Sequence, residues 1–218
     1  MMNLNSQQYA YGGARIGYLL YTPGNGDDTR RKQPLILFLH GASDRGSDPE
    51  LLKQHGLPRI VMNDPDFPFM VLAPQCPEGE WWIHDERLLL ALLDHVIMHY
   101  LADERRIYLT GCSMGGYGAW MLAAAHPNRF AAVVPVSAPA LRLPEQVCSL
   151  KDTPVWAFHG SADTVVPAEQ TELMIETLRA CGGTPEVSYM DGVGHELTTT
   201  IYEDPKLFAW LRKHILST

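Results

Sequence analysis

The chain has 218 residues, of which 46% are hydrophobic and 19% charged, and these values predict one globular domain spanning residues 1–218. The formal net charge of −8 disfavours nucleic acids and anionic membranes as partners, because both attract basic surfaces. The first residues show no basic segment followed by an apolar run, and no apolar stretch is long enough to span a bilayer.

The N-terminal part of the chain predicts a hairpin, a buried strand and a helix. Residues 9–21 carry aromatic and aliphatic side chains around a Gly-Gly pair, which is typical of a hairpin. Residues 34–41 are a continuous apolar run bounded by Pro and Gly, and they predict a central strand buried on both faces. A helix is predicted over residues 50–62, with a break near Gly56 or Pro58.

From residue 69 onwards, strand and helix patterns alternate. The clearest helix is predicted over residues 85–101, where apolar side chains recur at helical spacing. The other strands are predicted over residues 69–73, 107–111, 130–137, 154–160 and 185–190. The other helices are predicted over residues 114–126, 167–180 and 204–216. This alternation predicts an α/β fold whose mostly parallel central sheet carries helices on both faces.

The stretch Gly111-Cys112-Ser113-Met114-Gly115 matches the G-x-S-x-G pattern of a nucleophile elbow. It follows an apolar strand and opens a helix rich in small residues, which is the context that this motif requires. Small residues on both sides of the serine let the strand and the helix approach closely, and the turn lifts the hydroxyl out of the sheet. Ser113 is therefore the predicted nucleophile.

A serine hydroxyl needs a base, and the base needs an acid that orients it. In this arrangement the chain order is Ser, acid, His. His195 lies in a Gly-rich loop after the last strand and is the predicted base. Asp163 follows the strand over residues 154–160 and is the predicted acid, with Asp191 as the rival because it lies close to His195 in sequence.

The oxyanion formed by an attacked carbonyl needs two backbone donors. The Met114 N–H follows the nucleophile directly and is one predicted donor. The second is predicted in the loop after the first buried strand, at Ala42, with Ser43 as the alternative. Cys112 neighbours the nucleophile but is not central to the motif, so we expect it to be a packing residue.

Cysteine and histidine spacing predicts neither a metal site nor a cofactor. Cys76, Cys112, Cys148 and Cys181 show no C-x-x-C pair and no zinc-like spacing, and there is no H-E-x-x-H motif. We expect four free thiols in a reducing cytoplasm.

Five stretches together carry a family resemblance that covers most of the chain from about residue 34. They are Leu37-Phe38-Leu39-His40-Gly41-Ala42-Ser43-Asp44-Arg45-Gly46, Ala73-Pro74-Gln75-Cys76-Pro77 with Trp81-Trp82, Leu109-Thr110-Gly111-Cys112-Ser113-Met114-Gly115-Gly116, Phe158-His159-Gly160-Ser161-Ala162-Asp163 with Val166-Pro167, and Gly192-Val193-Gly194-His195. The chain resembles the α/β-hydrolase superfamily, and within it the phospholipase/carboxylesterase-like group, which includes dienelactone-hydrolase-like esterases and predicted peptidases. The resemblance implies serine esterase activity on the three predicted residues.

These observations predict a serine carboxylesterase that acts on small, soluble acyl or aryl esters. A peptidase or a thioesterase would use the same groups. The alternative outside the enzymes is a non-catalytic binding protein on a hydrolase scaffold. Residues 138–153, where lipases of this fold carry a lid, are too few and too polar for a multi-helix cover. Trp81 and Trp82 are either core residues or one wall of the substrate pocket, and the resemblance favours at least one of them in the substrate site. The oligomeric state stays open.

Overall fold

The computed structural model describes residues 4–24, 32–82, 84, 86–141 and 145–217. Eight strands in this part of the chain form one sheet: β1 Leu4–Tyr11, β2 Ala14–Tyr21, β3 Gln33–Leu39, β4 Met70–Pro74, β5 Ala102–Cys112, β6 Ala132–Val136, β7 Trp156–Gly160 and β8 Glu186–Met190. Their order in the sheet is β1-β2-β4-β3-β5-β6-β7-β8. β1 pairs with β2 and β2 with β4 in antiparallel fashion, and all other neighbours are parallel. The predicted hairpin and the mostly parallel sheet are confirmed.

The helices of the described residues are α1 Gly56–Asn63, α2 Glu86–His99, α3 Met114–Ala125, α4 Glu169–Ala180, α5 Thr198–Glu203 and α6 Pro205–Leu211. Short 3₁₀ helices cover Ala42–Asp44, Pro49–Gln54 and Gln146–Leu150. The helix predicted over residues 50–62 is split at His55, so the expected break is confirmed. α5 was not predicted, and the C-terminal helix ends at Leu211, before the predicted residue 216. Asp85, the predicted first residue of α2, lies outside the described residues.

Helices cover both faces of the sheet because the side chains of each central strand alternate between the faces. On β3, Leu35 and Leu37 belong to one core cluster, while Ile36 and Phe38 belong to the other. α2, α3 and α4 supply apolar side chains to the first cluster, and α1, α5 and α6 supply them to the second. The carboxyl ends of the parallel strands lie at the edge of the sheet where ligands bind in open α/β folds.

Cys148 and Cys181 form a disulfide, with Cα atoms 5.4 Å apart. The bond joins the 3₁₀ helix Gln146–Leu150 to the residue that follows α4. Cys76 and Cys112 are free and buried. The expectation of four free thiols is therefore wrong for one pair, because folding brings together two cysteines that are 33 positions apart. The argument from cysteine chemistry for a cytoplasmic location no longer applies, since disulfides persist in oxidising compartments.

Between β6 and β7 the described residues hold one 3₁₀ helix and no larger insertion, while residues 142–144 lie outside the description. The site edge of the sheet carries no large lid there, as predicted. Among the helices in the described ranges, none is both long and apolar enough to cross a membrane.

Candidate active site

The chain turns sharply between β5 and α3, and Ser113 occupies this turn. Its backbone has φ 54° and ψ −117°, which is a strained conformation for a residue with a side chain. A Cβ atom at Gly115 would lie 1.9 Å from the Leu39 carbonyl oxygen, and one at Gly111 would lie 2.4 Å from the Gly115 carbonyl oxygen. No side chain fits at either position, so glycine is required where the strand and the helix pass each other. The geometry is that of the elbow which the motif predicts.

His195 and Asp163 meet across two loops that follow neighbouring strands, β8 and β7. His195 Nδ1 lies 2.7 Å from Asp163 Oδ2, and the Asp163 side chain is fully buried. The Val165 and Val166 N–H groups each donate to Asp163 Oδ1 at 2.9 Å. Burial alone would raise the pKa of Asp163, but the hydrogen bonds from His195 and from the two amides hold that pKa below its usual value. Asp163 therefore stays ionised, and its charge keeps the His195 proton on Nδ1.

Asp191, the rival acid, makes no such contact. It is exposed, and its carboxylate accepts a hydrogen bond from the Ser161 hydroxyl at 3.4 Å. The Ser161 hydroxyl in turn accepts from the Gly192 N–H at 2.9 Å. These contacts stabilise the loop that leads to His195, and they do not reach the imidazole.

His159, at the end of β7, contacts both Asp163 and the loop that follows it. Its ring is fully buried, with Nδ1 2.7 Å from Thr171 Oγ1 and Nε2 2.9 Å from the Val166 carbonyl oxygen. Nε2 also lies 3.3 Å from Asp163 Oδ2. Through these contacts the His159 ring holds the loop that carries Asp163.

Ser113 and His195 open onto one cleft of about 670 Å³ at the carboxyl edge of the sheet. The cleft is bordered by Phe38, Gly41, Ala42, Ser43, Asp44, His55, Gly56, Arg59, Cys112, Ser113, Val165, His195, Glu196, Thr198 and Thr199. Among the hydrogen bonds of the described residues, none joins Ser113 to His195; such bonds are often long without substrate and shorten in the complex. Most of the lining side chains are polar. Those from α1 and α5 were not identified from the sequence: α5 was not predicted, and the predicted helix that contains α1 gave no indication that it faces the site.

Two backbone amides flank Ser113. α3 begins at Met114, and the first N–H groups of a helix have no acceptor within it. A Cβ atom on Gly41 would lie 3.9 Å from the Ser113 Cβ, so the loop after β3 approaches the serine closely. Ala42 and Ser43 follow Gly41 and border the same cleft. The segments that carry the predicted donors thus lie beside the serine.

Trp81 and Trp82 do not border this cleft; they line a second cavity of about 400 Å³. Trp82 is buried, and its Nε1 donates to the His40 carbonyl oxygen at 3.0 Å. Trp81 packs edge-on against Tyr117 and lies under the Arg45 guanidinium, which is 5.5 Å from the ring centre. The structure therefore does not bring either tryptophan to the serine.

Cys112 also borders the cleft but is buried, and burial raises the pKa of its thiol well above the usual value. A protonated thiol is a weak nucleophile, which agrees with the packing role expected for this residue. The described residues contain no cluster of three or more His, Cys, Asp or Glu side chains that could hold a metal ion.

Comparison with known proteins agrees with this geometry. A carboxymethylenebutenolidase from Rhodococcus opacus is 26% identical over 126 residues, which are 55% of this chain and 50% of that protein. A bifunctional acetylxylan esterase/xylanase from Neocallimastix patriciarum is 27% identical over 165 residues, 73% of this chain and 23% of that protein. The chain thus spans half or less of the length of these two curated relatives. The crystal structure of a thermostable esterase matches with a TM-score of 0.81 and 29% identity, over 98% of this chain and 63% of that one.

The dienelactone hydrolase family model matches residues 81–204, which is more than half of the chain. The matched range contains the elbow serine and the hydrogen-bonded His195–Asp163 pair. The sheet order and the elbow are those of the α/β-hydrolase fold. The chain has this fold and belongs to the dienelactone hydrolase family of hydrolases.

Proposed function

We propose that the chain is a serine carboxylesterase that hydrolyses small, soluble carboxylic esters through an acyl-enzyme intermediate. The observation that carries this proposal is the His195–Asp163 hydrogen bond of 2.7 Å beside a cleft shared with the elbow serine. A buried carboxylate, an imidazole and a serine on a strained turn form the set that acyl transfer needs. A non-catalytic binding protein would need none of these relations.

In the proposed reaction, Ser113 Oγ attacks the ester carbonyl while His195 Nε2 takes the hydroxyl proton. The Asp163 carboxylate keeps a proton on His195 Nδ1, so Nε2 is free to accept the proton of the serine. The same carboxylate stabilises the imidazolium that forms. The tetrahedral oxyanion accepts hydrogen bonds from the Ala42 and Met114 amides. His195 then gives its proton to the leaving alkoxide, and the same imidazole activates the water that cleaves the acyl-enzyme.

The lining of the cleft supports small substrates with short acyl chains. Phe38, Ala42, Cys112 and Val165 supply its apolar side chains, and most of the others are hydroxyl-bearing or charged. A long acyl chain gains about 0.8 kcal/mol per CH₂ only where an apolar wall receives it, and the four apolar side chains among the fifteen lining residues provide a short one. The name of the acetylxylan esterase/xylanase among the relatives specifies an acetyl group, which agrees with a short acyl chain.

Hydrolysis of p-nitrophenyl acetate and covalent labelling by a fluorophosphonate probe test the proposal. The native chain should do both. Ser113→Ala should remain folded, lose the label, and lose roughly 10³-fold or more of kcat, because triad members act as a unit. Ser6→Ala, which alters an exposed serine on the edge strand β1, is the matched control and should retain both properties. A folded Ser113→Ala protein with native turnover would refute the assignment.

A further inference from the structure

His40 follows β3 and is almost completely buried, and both of its ring nitrogens contact backbone groups. Nδ1 lies 2.6 Å from the Gly41 carbonyl oxygen, and Nε2 lies 2.9 Å from the Cys76 nitrogen. A carbonyl can only accept a hydrogen bond and an amide N–H can only donate one, so Nδ1 carries the proton and Nε2 is bare. Burial lowers the pKa of His40 to about 4, so this neutral tautomer persists at neutral pH.

The Gly41 carbonyl and the Ala42 N–H belong to the same peptide unit. A trans peptide is planar, and its C=O and N–H bonds point in opposite directions; the described backbone contains no cis bond. A hydrogen bond that fixes the Gly41 carbonyl therefore also fixes the direction of the Ala42 N–H. A second, longer hydrogen bond reaches this carbonyl from the Asp44 N–H at 3.3 Å, within an exposed single-turn 3₁₀ helix, so the 2.6 Å contact with His40 is the shorter of its two restraints.

Trp82 fixes the histidine in turn. Its indole N–H donates to the His40 carbonyl oxygen at 3.0 Å, and its ring packs edge-on against the imidazole with centres 4.8 Å apart. Cys76 holds the other end of the imidazole through its amide. The buried side chains behind the cleft thus form a continuous support that ends at the Gly41–Ala42 peptide.

We propose that His40 is a positioning residue of this site, and that its Nδ1–H group holds the Gly41 carbonyl so that the Ala42 N–H faces the substrate oxyanion. The inference rests on the proposed esterase function. Donation to the carbonyl also polarises the peptide and strengthens its N–H as a donor. Loss of one oxyanion donor costs about 10²–10³ in kcat, which sets the upper limit for loss of its orientation.

Two substitutions separate the donor from the acceptor of the imidazole. The Asn amide nitrogen occupies the place of Nδ1, so His40→Asn keeps a donor for the Gly41 carbonyl. The Gln amide oxygen occupies the place of Nε2, so His40→Gln keeps an acceptor for the Cys76 amide and loses the donor. We expect His40→Asn to retain kcat within about threefold and His40→Gln to lose about 10- to 100-fold, with KM little changed in both.

A trifluoromethyl ketone, which forms a tetrahedral oxyanion on a catalytic serine, gives the readout that general destabilisation would not change. Across the two variants, the inhibition constant of this ketone should rise by the same factor by which kcat/KM falls. His214→Asn, a half-buried histidine after α6 at the far end of the sheet, is the control and should leave both constants unchanged. Equal kcat in the Asn and Gln variants, or unchanged ketone affinity in His40→Gln, would overturn the positioning role.

The native protein gives a second measurement that needs no variant. In its ¹⁵N NMR spectrum, His40 should show a protonated Nδ1 and a bare Nε2, and the Nδ1–H resonance should shift when the ketone binds. An unshifted resonance would overturn the role even if both variants fail to fold. Loss of activity in Ser113→Ala with no effect in His40→Gln would remove this inference alone, whereas a fully active Ser113→Ala would remove the proposed function itself.

Discussion

Addition of one methyl group at Gly115 should damage stability and activity together. In Gly115→Ala the new Cβ atom would lie 1.9 Å from the Leu39 carbonyl oxygen and 2.7 Å from the His40 carbonyl oxygen. Both are backbone atoms, so no side-chain rotation relieves the clash, and α3 and β3 must separate by roughly 1 Å. The gain in helix propensity is at most about 1 kcal/mol, whereas overpacking of this kind costs about 3 kcal/mol or more, so the variant is destabilised.

The same separation should slow catalysis, because β3 leads into the Gly41–Ala42 peptide and α3 carries the Met114 amide. A misplacement of about 1 Å can cost roughly 10²-fold in rate. Urea unfolding measures the stability, and p-nitrophenyl acetate turnover of the fraction that remains folded measures the rate. Gly24→Ala is the control, since no described atom lies within 4 Å of its new Cβ, and it should be neutral. Native stability and native turnover in Gly115→Ala would refute the reasoning about the elbow.

Four further predictions follow from the contacts. Asp163→Asn should lower kcat by several orders of magnitude, up to about 10⁴, and Asp191→Asn by less than tenfold; the reverse order would assign the acid to Asp191. The kcat/KM for p-nitrophenyl esters should peak at roughly two to six acyl carbons, and a maximum at long chains or a rate increase at an oil–water interface would reveal an unseen apolar cover. Thiol titration of the unfolded, unreduced chain should find two thiols, and four would exclude the disulfide. The double variant Cys148→Ser/Cys181→Ser should have a free energy of unfolding about 3–4 kcal/mol lower, because the bond closes a loop across 33 positions. Burial lowers the pKa of His40 from 6.5 to about 4, so between these pH values the imidazole is protonated in the unfolded chain but neutral in the folded one. The free energy of unfolding should therefore fall as the pH decreases from 6.5 towards 4. Over that range the unfolding free energy of His40→Asn should fall by about 3 kcal/mol less than that of the native chain. If the unfolding free energies of the two proteins changed with pH by the same amount, the lowered pKa of His40 would be contradicted.

Local sequence patterns were sufficient for the fold class and for the elbow turn that carries Ser113. Alternating apolar runs and helical periodicities predict a parallel sheet covered on both faces, because each pattern follows from the geometry of a single element. The G-x-S-x-G turn is equally local: the steric requirement at Gly111 and Gly115 arises within one strand–turn–helix unit and its neighbouring strand. Chain order then indicated His195 as the base, because it follows the last strand.

Contacts between distant segments were decided only by the tertiary structure. Asp191 is four residues from His195, yet the imidazole bonds Asp163, 32 positions away, because β7 and β8 are neighbours in the sheet. Cys148 and Cys181 pair for the same kind of reason, since their helices pack against one sheet face.

The contacts of the two adjacent tryptophans were likewise decided only by the tertiary structure. From the sequence, Trp81 and Trp82 were core residues or one wall of the pocket, and the resemblance favoured at least one of them in the substrate site. In the structure the Trp82 indole is buried and donates to the His40 carbonyl oxygen. The direction of the Ala42 N–H depends on this buried support and on the neutral tautomer of one histidine. Sequence by itself determined most of the elements and the candidate site residues, because those depend on periodicity and local sterics. The tertiary structure decided which groups meet, because hydrogen-bond partners are set by the packing of segments far apart in the chain.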